Sequence, residues 1–258
     1  NLPKIKEIAN RYDLKIIEDG SHSFGSKYTY NGKEYTCGDG KHADLCTFSF
    51  HPVKHITTGE GGAILTNNEQ LYRDVYLRRK HGIDRRNDMF NEDQRIGSWI
   101  YDMELLGFNY RITDFQAALG LSQIKKINYF KKRRREIVLY YNEHLSHLDQ
   151  FILPYEDQFV DSNFHIYVLQ IRDNVGFDRY DLFNYLQSLN YRPMVLYIPV
   201  HLLTYYKNKF GYKRGDFPVS ERYYDRSLAI PLYPSIKDSE VEKVVKDIKK
   251  FINLKSNK

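Results

Sequence analysis

The chain has 258 residues, of which 41% are apolar and 28% charged, the balance of a soluble globular protein large enough for one big domain or two modest ones. No apolar run reaches membrane-spanning length, two cysteines are too few for a disulfide framework, and no CxxC or Cys/His cluster suggests zinc. Together these features predict a cytoplasmic protein with no structural metal. The net charge of +6 gathers in Lys125, Lys126, Lys131, Lys132 and Arg133 to Arg135, and again in the tail from Lys243. Both segments have helical spacing, so solvated helix faces explain the charge better than a nucleic-acid partner; it also suits an anionic substrate such as a nucleotide diphosphate.

The first residue is Asn1, and no basic and apolar leader follows. Leu2, Ile5, Ile8 and Ala9 have helical spacing, and Leu14–Glu18 then reads as a buried strand. The chain is thus expected to start at a crossover helix inside a βαβ pattern, as a fragment or processed product. Ala43–Phe50 and Gly62–Thr66 are the next strands, separated by loops, and a helix runs from Glu69 to about Lys80. The polar stretch Asp84–Arg95 reads as a mobile surface loop, and Trp99 as a packing residue. A long helix begins at the N-cap Thr113, with Gln116 at the capping-box position, and runs to about residue 147. A helix of that length bridges domains or breaks near its middle. Beyond it come a strand at Phe164–Arg172, a helix at Asp178–Leu189, a strand at Arg192–Leu196, and helices at Val219–Leu228 and Ser239–Ile252. The pattern predicts an α/β domain over residues 1–125 and a smaller α+β domain over 126–258.

Two places carry chemistry. Asp19 ends the strand Ile16-Ile17-Glu18, where open α/β sheets bind ligands, and His22 follows within reach of the same crevice. The second is Phe48-Ser49-Phe50-His51-Pro52-Val53-Lys54-His55-Ile56-Thr57-Thr58-Gly59-Glu60-Gly61-Gly62. Here a buried strand delivers Ser49, a turn delivers Lys54, and glycines allow close backbone approach on the return. A lysine in a partly desolvated pocket has a lowered proton affinity and an available lone pair, which suits condensation with a carbonyl.

With Gly107-Phe108-Asn109-Tyr110-Arg111-Ile112-Thr113-Asp114-Phe115-Gln116-Ala117-Ala118-Leu119-Gly120, these runs resemble the DegT/DnrJ/EryC1/StrS family of sugar aminotransferases. Its members depend on pyridoxal 5'-phosphate (PLP) and have the aspartate-aminotransferase fold (fold type I), a three-layer large domain with a smaller C-terminal one. The wording is most similar to the branch that aminates UDP-linked 4-keto-6-deoxy-N-acetylhexosamines on the pseudaminic acid route. The resemblance spans essentially the whole chain, including Tyr197–His201 and Leu228–Pro234.

By position, the resemblance implies that Lys54 holds the cofactor covalently and shuttles protons. It implies that Asp19 pairs with the pyridine nitrogen, His22 contacts O3′, Ser49 binds the phosphate, and Asn109 reaches the phosphate of a neighbouring subunit. Arg111 is a further candidate anion contact. A homodimer with shared sites, an amino-acid donor (glutamate) and a nucleotide-linked keto sugar follow as expected partners. The family also has a preceding stretch with a phosphate-cradling turn and a ring-stacking aromatic residue. Against that pattern the large domain is expected to be N-terminally truncated, with an exposed sheet edge, and a catalytically inactive remnant is the alternative. Some members have histidine in place of the lysine and act as PLP-dependent dehydratases. His55 adjoins Lys54 here, but the spacing from Ser49 favours Lys54 and aminotransfer.

Overall fold

A computed structural model describes residues 1–84 and 101–256. The expected loop at Asp84–Arg95, apart from Asp84, and Trp99 lie outside the described residues. The chain divides into two compact units, Asn1–Ile127 with Phe159–Ser162, and Asn128–Gln158 with Asn163–Lys258.

In the N-terminal unit, α1 (Leu2–Arg11) starts at Asn1, whose side chain accepts from the Lys4 N–H. The first strand, β1 (Ile17–Asp19), is shorter than its apolar run because the Ile16 N–H bonds the Asp44 carboxylate at 2.8 Å instead of a neighbouring strand. β1 pairs in parallel with β4 (Leu45–Ser49), which pairs antiparallel with β5 (Gly62–Leu65).

Residues 20–42, expected as loop, contain a hairpin of β2 (Lys27–Tyr30) and β3 (Lys33–Thr36). Asn31 and Gly32 turn it with φ of 50° and 73°, the left-handed pair that a two-residue hairpin turn requires. α2 (Glu69–Arg79) is capped by Asn68. It is followed by the short pair β6 (Ile83–Asp84) and β7 (Asp102–Met103).

The expected long helix is two helices, α3 (Asp114–Ile124) and α4 (Ile127–Leu145). Thr113 and Gln116 form the capping box of α3. No proline or glycine marks the break; it lies at Lys125–Lys126, where the Lys126 N–H bonds Gln123 O, three residues back.

The C-terminal unit holds the larger core. An antiparallel sheet of β8 (Phe151–Ile152), β10 (Tyr167–Ile171) and β11 (Ser227–Ile230) runs in the order β11-β10-β8. It packs with α4, α5 (Arg179–Ser188) and α8 (Asp238–Ser256). The remaining pair, β9 (Val160–Asp161), joins β2 in the N-terminal unit. Between α5 and β11 lie α6 (Thr204–Phe210) and α7 (Pro218–Arg226). The expected strand Arg192–Leu196 is only a bridge, Met194 to Ala229, beside Pro193, which has no N–H to give a ladder. The expected helix Val219–Leu228 ends early, because the wholly buried Ser227–Ile230 pairs with β10 instead.

The basic run is not a solvated face throughout. Lys125, Lys126 and Lys132 are exposed. Arg134 is buried and donates to the carbonyls of Phe164, His165 and Leu232, while Arg133 pairs with Asp238 and Arg135 with Glu156.

Candidate active site

Strand parity sorts the residues at the end of the sheet. Asp19 is the partner of Thr47 across the parallel pair, and Ser49 lies two residues further along β4, so Asp19, Thr47 and Ser49 share one face. Beyond Asp19 the chain turns, and the Ser21 N–H bonds Asp19 Oδ1 at 3.0 Å. The Ser21 hydroxyl and N–H hold the Asp19 carboxyl below the usual carboxylate range, with help from the charges of His22 and Lys54. This carboxylate stays ionised at neutral pH.

Lys54 sits on the loop between β4 and β5. The loop is closed at its base by Phe50 N–H to Gly61 O at 2.8 Å, Thr58 N–H to Phe50 O at 3.0 Å and the Thr57 hydroxyl to Phe50 O at 3.1 Å. The buried Thr58 hydroxyl donates to Glu60 O at 2.7 Å, and the Lys54 N–H donates to His51 O at 2.9 Å. The third motif packs onto this loop: Gln116 Nε2 donates to Glu60 O at 3.0 Å. Gly120 lies so close that a Cβ there would stand 2.9 Å from Thr58 Cγ2. The third motif thus braces the loop that carries Lys54.

Lys54 is half-buried, and burial pushes its amine below the usual lysine value, opposed by the charge of Asp19. Burial and the Lys54 charge likewise push His22 down, against Asp19, so its imidazole is neutral at pH 7. Asp19, His22 and Lys54 therefore lie within electrostatic reach of one another. Ser49 occupies the same strand end, its Oγ accepting from the His51 N–H at 3.4 Å. Asn109 is not drawn into this group; it is exposed and bridges by backbone to Lys80. His55 is buried, 4% exposed. Sequence reasoning missed Ser21 as the partner of Asp19, although Asp-x-Ser is the spacing of an Asx-turn.

The donor set fits PLP: a carboxylate held ionised suits a pyridinium nitrogen, a neutral imidazole suits a ring oxygen, and an amine of lowered proton affinity suits an aldehyde.

The sequence profile of the DegT/DnrJ/EryC1/StrS aminotransferase family matches residues 1–249. Protein MJ1066 of Methanocaldococcus jannaschii is 38% identical over 98% of this chain and 64% of its own length. The UDP-4-amino-4,6-dideoxy-N-acetyl-beta-L-altrosamine transaminase of Campylobacter jejuni is 33% identical over 95% of this chain and 60% of its own. The chain thus spans less than two thirds of the length of these relatives.

Helicobacter pylori PseC, an aminotransferase involved in the biosynthesis of pseudoaminic acid, superposes with a TM-score of 0.85 over 98% of this chain and 63% of its own, at 24% identity. The PLP form of Spr1654, a putative sugar aminotransferase from Streptococcus pneumoniae, gives 0.80 over 97% and 62%, at 25% identity. The mixed α/β fold is that of the fold type I, PLP-dependent aminotransferases. With all three motifs gathered around one lysine and a family match over nearly every residue, the chain belongs to the DegT/DnrJ/EryC1/StrS aminotransferase family.

Proposed function

We propose that this chain carries the lysine half-site of a PLP-dependent aminotransferase. It moves an amino group from an amino acid, glutamate in our reading, to a UDP-linked 4-keto-6-deoxy sugar in surface-glycan synthesis. The observation that carries this reading is the Asp19, His22 and Lys54 group at one strand end, with the Asp19 carboxyl held down by Ser21 and the Lys54 amine lowered by burial. When bound, PLP supplies the electron sink that transamination needs. Asp19 keeps a proton on the pyridine nitrogen. His22 hydrogen-bonds O3′, and Ser49 Oγ binds the phosphate. Lys54 Nζ, poised by burial, holds the cofactor and then takes up and returns a proton as the amino group moves.

Asn109, exposed as it is, serves the phosphate of a second subunit in a homodimer. The strongly exposed Phe115 and Leu106, at 91% and 85%, support such a covered surface. Lys54 stands at the spacing from Ser49 where the family's lysine falls and is coupled to Asp19 and His22, which favours aminotransfer over dehydration.

Borohydride reduction of the chain with PLP, followed by peptide mass spectrometry, tests the reading. Label is expected at Lys54 and lost in Lys54→Ala. Absence of label at Lys54 in the folded parent chain would overturn it. Labelled protein leads to assay of UDP-4-keto sugars with glutamate.

A further inference from the structure

Glu18, Cys37 and Cys46 have no part in the function proposed for Lys54, and in sequence they stand far apart. Parallel pairing sets Glu18 against Cys46, so both side chains leave the sheet on the face opposite to Asp19. The β2–β3 hairpin then returns the chain and brings Cys37, just past β3, to the same place. The two Sγ atoms and a Glu18 carboxylate oxygen all lie within 4.8 Å of one another. Cys37 Sγ donates to Glu18 Oε1 at 3.2 Å and lies 3.0 Å from Ser23 Oγ. The Gly38 N–H bonds Glu18 Oε2 at 3.3 Å and fixes the carboxylate.

Both cysteines are buried and free of disulfide. Phe48 completes their cluster, with Phe24 and Phe50 packed against it. Gly20 and Gly38 close the shell; a Cβ at either would come within 2.7 or 2.8 Å of the Phe48 ring.

We propose that Glu18, Cys37 and Cys46 form a binding site for a soft divalent cation of the zinc class, with Ser23 Oγ or a water in the fourth position. A tetrahedral zinc, with bonds of about 2.3 Å to sulfur and about 2.1 Å to oxygen, needs ligand atoms roughly 3.6–3.8 Å apart. Small side-chain rotations take the present cluster to that spacing. Two sulfurs select a soft ion, because magnesium and calcium prefer all-oxygen sets. Each thiol gives up its proton on binding. One cation therefore displaces two protons and leaves a centre of net charge −1 with the carboxylate, with no change of oxidation state. Phe24, Phe48 and Phe50 pack around the two cysteines. The ion would tie β1, β4 and the hairpin return together, directly behind Asp19.

The test uses the full chain without PLP, under a non-thiol reductant, after a count in denaturant has shown both thiols reduced. Titration with cadmium or cobalt(II) is expected to give one equivalent bound per chain, with sulfur-to-metal charge-transfer absorption. Zinc is expected to displace the probe and to raise the melting temperature of the parent protein. Cys37→Ser and Cys46→Ser, each checked for folding by circular dichroism, should each lose that equivalent. No charge-transfer band in the parent chain, or an undiminished band in folded Cys46→Ser, would overturn the proposal. Neither result bears on the labelling of Lys54.

Discussion

Opposing influences act on the Lys54 amine, and a single substitution separates them. Burial lowers its proton affinity, and Asp19 raises it. Asp19→Asn should therefore move the pH midpoint of Lys54 carbamylation by cyanate downward, because the anion that favours the charged amine is gone. Peptide mass spectrometry across pH reads this directly, and an upward move would contradict the arrangement. Glu221 makes a similar case in the C-terminal unit. Burial acts to raise its carboxyl, but the Gly215 N–H, His201 and the Phe217 N–H outweigh burial and bring it below the usual value. A carboxyl lowered on folding stabilises fully above its unfolded value, about 4.5, and loses that contribution as pH falls through its folded value. Urea midpoints between pH 7 and pH 3 should fall more steeply for the parent than for Glu221→Gln; parallel curves would exclude the contribution. Lys54, Asp19 and His22 could be singled out as candidates in sequence because motif words name them. The His201–Glu221 pair was not, since nothing local in either residue points to a partner 20 positions away.

Helix α4 shows how charge can serve as core. Ile137, Val138, Tyr141 and Leu145 make its buried stripe, and Arg134 extends that stripe as a cation among three carbonyls, its guanidinium lowered to about 10 by burial. Arg134→Met should cost about 3 kcal/mol in urea unfolding, since it strips charged hydrogen bonds from buried carbonyls. A loss under about 0.5 kcal/mol, the size of an ordinary surface change, would show that the methionine repacks without penalty. Sequence periodicity revealed the helix but not this role, because a run of Lys and Arg looks alike whether it meets water or carbonyl oxygen. The β2–β3 hairpin failed to stand out for a different reason: its strands alternate Lys, Glu, Thr and Tyr and carry almost no apolar signal. Only Asn31-Gly32 announced it. β11 was hidden by continuity, since the helical spacing of α7 runs into Ser227 without a break until Pro231.

At the scale of the molecule, the two units differ in how they are held. The C-terminal unit encloses an extended cluster from Ile137 to Ile252, whereas the strands around the site are half-open, with Ile17 67% and Ile64 53% exposed. Amide exchange should accordingly be slowest in β10, β11 and α8, and faster in β1 and β5. Equal protection across both would mean that the site region draws stability from a source its own packing does not provide. The family was readable from motif order and wording, but the thiol and carboxylate cluster depends on which strands are neighbours, which spacing alone does not encode. That neighbourhood has a consequence for how the chain tolerates change. Adjacent residues of β1 serve opposite faces: Glu18 meets the cysteines, and Asp19 meets the lysine. Loss of one residue from the turn at Tyr12–Leu14 would let β1 slide by one position along β4, setting Asp19 against Cys46 and Gly20 against Thr47. The cysteines would meet a carboxylate one methylene too short, and glycine would stand where Asp19 had faced the lysine, so a single deletion would mistune both faces at once.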